Sequence, residues 1–100
     1  MSADDEQAGF ALPTFKPDEA LAQIQRSLRD MQLAGRGNGF ELRGKRVIEL
    51  DIDGSSIAVR LARRLMQTPP WDSLRLQSSA DQRKLIDELK KRLARWDQED

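Results

Sequence analysis

The sequence predicts an α+β domain, in which an antiparallel β-meander of three to four strands is flanked by an N-terminal and a C-terminal amphipathic helix. Apolar residues recur with helical spacing near both ends of the chain, and between them apolar and polar residues alternate as in strands. Within the alternating part, Asp53-Gly54 is the strongest short-range signal for a hairpin. A chain of 100 residues is long enough for one such domain, which we expect to span residues 15–100.

Cysteine and histidine are both absent from the chain. Their absence removes thiol nucleophiles, disulfides, thiolate zinc sites and imidazole bases, so the remaining metal chemistry is that of carboxylates. We therefore expect a non-catalytic protein without a cofactor. Neither a signal peptide nor an apolar run of about 18 residues, the length that crosses a membrane, is visible, so we expect a cytoplasmic location and no membrane contact.

The N-terminal third predicts a tail, a helix and a connection. Residues 1–14 are small, polar and acidic, which is typical of a flexible tail. From Pro17 to Leu33 apolar residues recur three and four apart, Pro17 suits the first turn of a helix, and Gly35 would end that helix. The glycine-rich segment 35–39 follows a helix and precedes a strand, so we interpret it as a flexible connection.

Alternation from Phe40 to Leu61 predicts the sheet. Gly44-Lys45 is interpreted as a turn, and a loop from Asp53 to Ser56 joins the next two strands. This register puts the apolar residues on one face of the sheet. It pairs Ile52 with Ile57, Leu50 with Val59, and Glu49 with Arg60. Residues 55–67 also fit an amphipathic helix, and this alternative stays open, although the mirrored alternation around the hairpin favours the strand.

The C-terminal part predicts an edge strand and the second helix. The run Thr68-Pro69-Pro70-Trp71 interrupts regular structure, and Leu74 and Leu76 alternate with polar residues beyond it, which indicates a short edge strand. From Ser79 to Trp96 an apolar stripe recurs at helical spacing, and Ser79 with Gln82 forms a capping box. We interpret Trp71 as a plug at one end of the core, with a binding anchor as the alternative.

One short motif resembles an enzyme family. The run from Val47 to Ser55 resembles the first motif of haloacid dehalogenase-type phosphatases, an apolar strand that ends in Asp-x-Asp-Gly-Ser or Asp-x-Asp-Gly-Thr. The resemblance covers nine residues and implies a nucleophile at Asp51, an acid/base at Asp53 and Mg²⁺ between them. A polar strand face followed by a turn gives the same pattern, and Mg-dependent phosphatase chemistry is the least favoured of the functions considered.

Basic residues concentrate in the middle of the chain. Together with one tryptophan they form a candidate binding surface: Arg43, Lys45, Arg46, Arg60, Arg63, Arg64 and Trp71. The planar fork of arginine suits phosphate recognition. The helix–strands–helix order is also that of double-stranded RNA-binding domains, although the lysine cluster expected at the start of their last helix is missing and the net charge of the chain is zero. Nucleic-acid binding through this Arg-rich hairpin face is therefore an alternative function.

The main functional expectation is a protein-interaction module. A sheet of this size has open edges, and open edges invite pairing with a second copy of the chain or with a peptide strand. We expect a protein partner whose identity the sequence does not specify, and a homodimer as one form of that contact.

Overall fold

The computed structural model describes residues 14–98 and confirms the α+β class. The elements follow one another in this order: α1 (Pro17–Asp30), β1 (Ala34–Arg36), β2 (Gly39–Leu42), β3 (Lys45–Asp53), β4 (Ser56–Ala62), β5 (Trp71–Leu76) and α2 (Ser79–Gln98). The five strands form one antiparallel sheet in chain order. The predicted tail, residues 1–14, lies outside the described residues except for Thr14. Within residues 14–98, no helix combines the length and the apolarity that crossing a membrane requires.

The hairpin of β3 and β4 has the predicted register. Ile52 lies opposite Ile57, Leu50 opposite Val59, and Glu49 opposite Arg60. The loop is Gly54-Ser55, and Gly54 takes a positive φ of 62°, a conformation that glycine adopts without steric strain. The alternative of a helix over residues 55–67 is wrong, because residues 56–62 form β4.

Two other parts of the sheet differ in detail from the prediction. β5 confirms the expected edge strand, but it begins at Trp71, which therefore lies in a strand and not in a loop. The segment 35–39, interpreted as a flexible connection, contributes to a further hairpin, in which β1 pairs with β2 around Gly37-Asn38. The next turn is Arg43-Gly44, and Lys45 already belongs to β3.

β2 and β3 pair with one irregularity. Phe40 lies opposite Ile48, whereas Glu41 lies opposite Arg46, so Val47 is an extra residue on β3. Such a bulge interrupts the alternation of side chains between the two faces of a sheet. As a result Val47 and Ile48, which are neighbours in the sequence, are both fully buried.

The core lies between the two helices and one face of the sheet. The helices contribute Ile24, Leu28, Leu85, Leu89 and Trp96, and the strands contribute Phe40, Ile48, Leu50, Ile57, Val59, Leu61 and Leu76. Burial of these side chains removes apolar surface from water, which is the main favourable contribution to folding. Both helices are used for this face, so the opposite face of the sheet is left without a helical layer.

The end of α1 is closed differently from the prediction. α1 ends at Asp30, because the Leu33 N–H donates to the Leu28 carbonyl at 3.1 Å and the Gln32 N–H donates to the Arg29 carbonyl at 2.8 Å. This pattern is a Schellman motif, and Gln32, with φ 67°, takes its left-handed position. Gly35, which the sequence pattern assigned to this role, belongs to β1.

The start of α2 also differs, since Ser78, and not Ser79, caps the helix. The Asp81 N–H donates to Ser78 Oγ at 3.1 Å, and the Gln77 N–H donates to the Asp81 carboxylate at 2.9 Å. Asp81, and not Gln82, is thus the side chain that accepts at this helix start, and it accepts from the residue before the cap and not from the cap residue, as a capping box would.

Replacement of Gln32 by glycine should stabilise the protein. A side chain in the left-handed region is sterically disfavoured, and the exposed Gln32 makes no side-chain hydrogen bond with another described residue. We expect Gln32→Gly to raise the free energy of unfolding by about 0.5–1 kcal/mol in urea denaturation. Ala22→Gly, at an exposed position inside α1, is the control and should lower it by about 1 kcal/mol. Equal losses in both variants would contradict the left-handed helix end.

Candidate functional site

The sheet face opposite the helices, here called the uncovered face, carries most of the polar side chains of the strands. Two rows cross it from strand to strand. One row contains Gly39, Glu49, Arg60 and Ser73, and the other contains Asp51, Ala58 and Arg75. Glycine, alanine and serine in these rows leave room for the long arginine side chains to lie flat across the sheet.

A chain of ion pairs runs along the first row. Arg46 Nε lies 2.7 Å from one carboxylate oxygen of Glu49, and Arg60 Nη1 lies 3.0 Å from the other. Residues three apart on a regular strand face opposite sides, so Arg46 and Glu49 can meet only because the bulge at Val47 shifts the alternation. The sequence analysis predicted the Glu49–Arg60 pair but not the bulge, whose signal is the adjacent apolar pair Val47-Ile48, and it therefore missed the contact of Arg46 with Glu49.

Gly39 makes room for this arrangement. A Cβ atom on Gly39 would overlap the Ile48 carbonyl oxygen and would lie 2.9 Å from Arg46 Nη2, so the position allows no side chain. Arg46 crosses over Gly39 and donates to the Arg36 carbonyl at 2.9 Å and to the Asn38 side-chain oxygen. The first hairpin is thereby tied to β3 by side chains as well as by strand pairing.

Trp71 lies on the uncovered face at the start of β5, opposite Ala62. The guanidinium carbon of Arg60 stands 4.7 Å from the centre of the indole ring, which is cation–π geometry. Trp71 is partly buried against the core residues, whereas Trp96, near the end of α2, is fully buried. The aromatic and the arginine form one surface feature with a flat ring and a fixed positive charge.

A second ion-pair cluster lies where β5, α2 and the segment after β4 meet. The Asp72 carboxylate accepts a hydrogen bond from Arg63 Nε at 2.6 Å, and Arg92 Nη2 lies 2.9 Å from its other oxygen. Arg92 also donates to Glu88 at 2.8 Å and to the Ala62 carbonyl at 2.9 Å. The hydrogen bond from Arg63, followed by that from Arg92, holds the pKa of the Asp72 carboxyl below its ordinary value, and Arg92 lowers the pKa of Glu88.

The residues of the candidate basic surface do not form one continuous patch in the structure but lie in several separate parts of the fold. Arg46 and Arg60 share Glu49 on the uncovered face, and Arg63 belongs to the Asp72 cluster. In the turn before β3, Arg43 pairs with Asp97 near the end of α2, at 3.4 Å. The remaining two residues, Lys45 and Arg64, make no side-chain hydrogen bond or ion pair with other residues of 14–98. Four of the six cations therefore face an acid, which reduces the positive potential that the sequence suggested.

Asp51 and Asp53 lie on the uncovered face of an antiparallel strand that leads into a hairpin. The resemblance to phosphatases implies instead an apolar strand whose end opens onto a magnesium site. Asp51 accepts a hydrogen bond from Asn38 Nδ2 at 3.0 Å, and Asp53 pairs with Arg75 Nη1 at 2.9 Å. Within the described part of the chain, no three acidic residues are close enough together to hold a metal ion.

The outer edge of β5 carries unpaired backbone groups. The Arg63 N–H donates to the Pro70 carbonyl at 3.0 Å, which continues the β4–β5 ladder. This bond determines which opposed residues of the ladder are hydrogen-bonded pairs. Hydrogen-bonded pairs alternate along an antiparallel ladder, so Asp72 and Leu74 bond towards β4 and the residues between them point away. The outward N–H and C=O groups are those of Trp71, Ser73 and Arg75, and none of them bonds to another described residue.

The unpaired stretch has defined ends. Pro69 lies before it and has no N–H to donate. After it, the outward N–H of Gln77 is already donated to the carboxylate of Asp81 at 2.9 Å. The edge therefore offers room for a short strand that pairs with three outward residues.

A groove of about 280 Å³ runs beside this edge, between β5 and α2. Its apolar walls are Leu74, Leu76 and Leu85, and Arg75, Asp81, Lys84 and Glu88 surround it. Leu74 is 39% exposed, which is unusual for a leucine on the helix side of the sheet. Sequence reasoning identified β5 as an edge strand but could not place α2 beside it.

In comparisons with known proteins, no protein family, curated protein or solved structure matches the chain.

The Asp72 cluster should make stability depend on pH. The folded-state pKa of Asp72 lies below the unfolded value, so this carboxylate stabilises the fold above about pH 4, and the contribution is lost as the pH falls through the folded-state pKa. We expect Asp72→Asn to lower the free energy of unfolding at pH 7, and the difference from the unmodified protein to shrink towards pH 2. Urea denaturation over this range measures it.

Asp87→Asn is the matched control. Asp87 lies exposed on α2, and no hydrogen bond or ion pair joins its side chain to another described residue. A difference between Asp72→Asn and the unmodified protein that stays constant across the pH range would show that Arg63 and Arg92 do not hold the carboxylate in its charged form.

Proposed function

We propose that this chain is a non-catalytic protein-interaction module of the cytoplasm, and that it binds partners by adding an extended strand to the outer edge of β5. The observation that carries the proposal is that the outward backbone groups of Trp71, Ser73 and Arg75 bond to no other residue of 14–98. Backbone hydrogen bonds supply affinity in strand addition, and side-chain pockets beside the edge supply specificity.

The groove beside β5 supports the same proposal. Alternate side chains of an added strand point to the helix side of the sheet, where Leu74, Leu76 and Leu85 provide an apolar surface. The other alternate side chains meet Trp71 and Arg75 on the uncovered face. A partner strand with apolar residues at every second position fits both faces.

The polar groups of the uncovered face explain why the edge, and not the face, is the proposed site. The three arginines that β3, β4 and β5 carry there each face an acid of the same face, through Arg46–Glu49, Arg60–Glu49 and Arg75–Asp53. Groups that are already paired gain little from a new partner, since each new contact replaces an existing one. The outward backbone groups exchange hydrogen bonds with water for hydrogen bonds with the added strand, and each exchange contributes about 0.5–1.5 kcal/mol.

Peptide display tests the proposal. Random peptides of about seven residues, the usual length of a strand, are selected against the full chain held at low surface density. We expect enrichment of extended sequences with apolar residues at alternate positions. In ¹⁵N–¹H spectra the selected peptides should shift the amides of residues 71–76 most, and Ser73→Pro should weaken their binding at least about tenfold, because it removes an outward N–H.

Ser73→Thr is the matched control for the peptide experiment. Threonine keeps the N–H and favours strands, so binding should be retained. Selection without enrichment, or peptides whose shifts map away from β5, would overturn the proposed function.

A nucleic-acid interface on the uncovered face is the second candidate. The observation that favours it is Trp71 stacked with Arg60, since an aromatic ring beside an arginine on an open sheet face is suited to stacking on a base. The acids that flank Arg60 on the same face weigh against it, because they repel phosphate groups.

Fluorescence anisotropy with labelled single- and double-stranded oligonucleotides tests this second candidate. A nucleic-acid binder should lose affinity steeply as the salt concentration rises, and Trp71→Ala should lose about 1–3 kcal/mol of binding free energy, with a loss also in Arg60→Ala. Arg83→Ala, on the exposed side of α2, serves as a control that should bind normally. No binding at low salt would rule the second candidate out.

A further inference from the structure

We propose that the strand added to β5 is the β5 strand of a second copy of this chain. The two copies pair antiparallel around a two-fold axis at Ser73 and form one continuous ten-stranded sheet. This inference rests on the proposed strand addition and goes beyond it by naming the partner and the register.

The register follows from the ends of the unpaired edge. Antiparallel pairing about Ser73 sets Ser73 opposite Ser73, Trp71 of one copy opposite Arg75 of the other, and the reverse. Each of these opposed residues exchanges both backbone hydrogen bonds with its partner, so every outward group of the edge is used. A shift of two residues in one direction sets an outward residue opposite Pro69, which has no N–H. A shift in the other direction reaches Gln77, whose N–H is bound to Asp81.

Side chains on the uncovered face agree with this register. Arg75 of each copy lies directly across from Trp71 of the other, so the guanidinium, which is already paired with Asp53 of its own copy, has an indole and not a second cation as its neighbour. The two Ser73 side chains lie opposite each other at the axis and bring neither charge nor an aromatic ring to it. Registers centred on Trp71 or Arg75 instead set two indoles or two guanidinium groups directly opposite each other and pair fewer outward groups.

On the helix side of the sheet, each Leu74 lies directly opposite Asp72 of the other copy, whose charge Arg63 and Arg92 of that copy neutralise. The two exposed Leu74 side chains become diagonal neighbours beside the axis. β5 carries one acid and one base, Asp72 and Arg75, so two copies bring no net charge to their contact. The groove between β5 and α2 has two acids and two bases around it and is equally balanced. A balanced surface of this kind favours a second copy over a strongly charged partner.

Sedimentation equilibrium of the full chain tests the proposal between about 10 μM and about 1 mM, the range of affinity that short strand pairing supplies. We expect a monomer–dimer equilibrium. Ser73→Pro should weaken the association constant at least about tenfold, because the axial pair loses its two hydrogen bonds. Its circular dichroism should be unchanged, since proline is tolerated at outward edge positions. Ser73→Thr should associate as the unmodified chain does.

Cross-linking tests the axis itself. The chain has no cysteine, so Ser73→Cys introduces a single thiol, and two such thiols lie close together only if Ser73 is at the axis. A short bis-maleimide should join two copies of the Ser73→Cys variant into a covalent dimer. The control is Ser55→Cys, exposed in the β3–β4 loop, which should stay largely monomeric under the same conditions.

Several outcomes overturn the proposal. These are a chain that is monomeric at every concentration, a dimer that Ser73→Pro leaves intact, equal cross-linking of the two thiol variants, and strong protection of the Ser73 and Arg75 amides from hydrogen exchange in the monomer. Peptides that bind β5 while the chain itself stays monomeric would overturn the self-pairing alone and leave the proposed strand addition standing. If the chain neither self-associates nor binds selected peptides at β5, both the self-pairing and the proposed strand addition are wrong.

Discussion

Two amphipathic helices can cover only one face of this five-stranded sheet, and the rest of the molecule is arranged around that constraint. On the covered side, apolar side chains such as Ile48 and Val59 are buried by α1 and α2. On the other side the strands meet water, and their side chains satisfy one another through the Arg46–Glu49–Arg60 chain and the Arg75–Asp53 pair. Neither the helices nor the ion pairs satisfy the outward backbone groups of the edge strand β5, which have no partner among residues 14–98.

The part of the fold that follows from local alternation could be predicted from the sequence. Around Gly54 the apolar residues mirror each other, and a shift by one residue would turn the whole apolar set towards water, so the alternation alone determines the register of β3 with β4. β1 could not be predicted, because its three residues include a glycine and have no apolar face. The bulge at Val47 was missed, although the two adjacent apolar residues Val47 and Ile48, beside a strict alternation, are a signal for it in the sequence.

For the candidate site as well, the sequence shows which residues are present but not which residues they contact. The number and position of the basic residues are visible in the sequence, but the potential they create depends on which acids lie beside them. Arg63 is an example: it is part of a basic cluster in the sequence, yet in the fold its guanidinium is bound to Asp72, which lies on β5, diagonally across from Arg63. Charge counting therefore overstated the basic surface, whereas the pairing of Glu49 with Arg60 was found because strand register determines it.

The two edges of the sheet differ in a way that bears on function. β1 has three residues, is formed partly by glycine, and has one carbonyl, that of Arg36, bound by Arg46. β5 is twice as long, with six residues, and its outward groups are unpaired among the described residues. Proteins commonly protect such an edge with a bulge, a proline within the strand or an inward charge. β5 carries one such charge, Asp72, but Arg63 and Arg92 neutralise it. Pro69 and the bond from Gln77 to Asp81 close off the two ends and leave the middle open, which limits a partner to one length and favours one register.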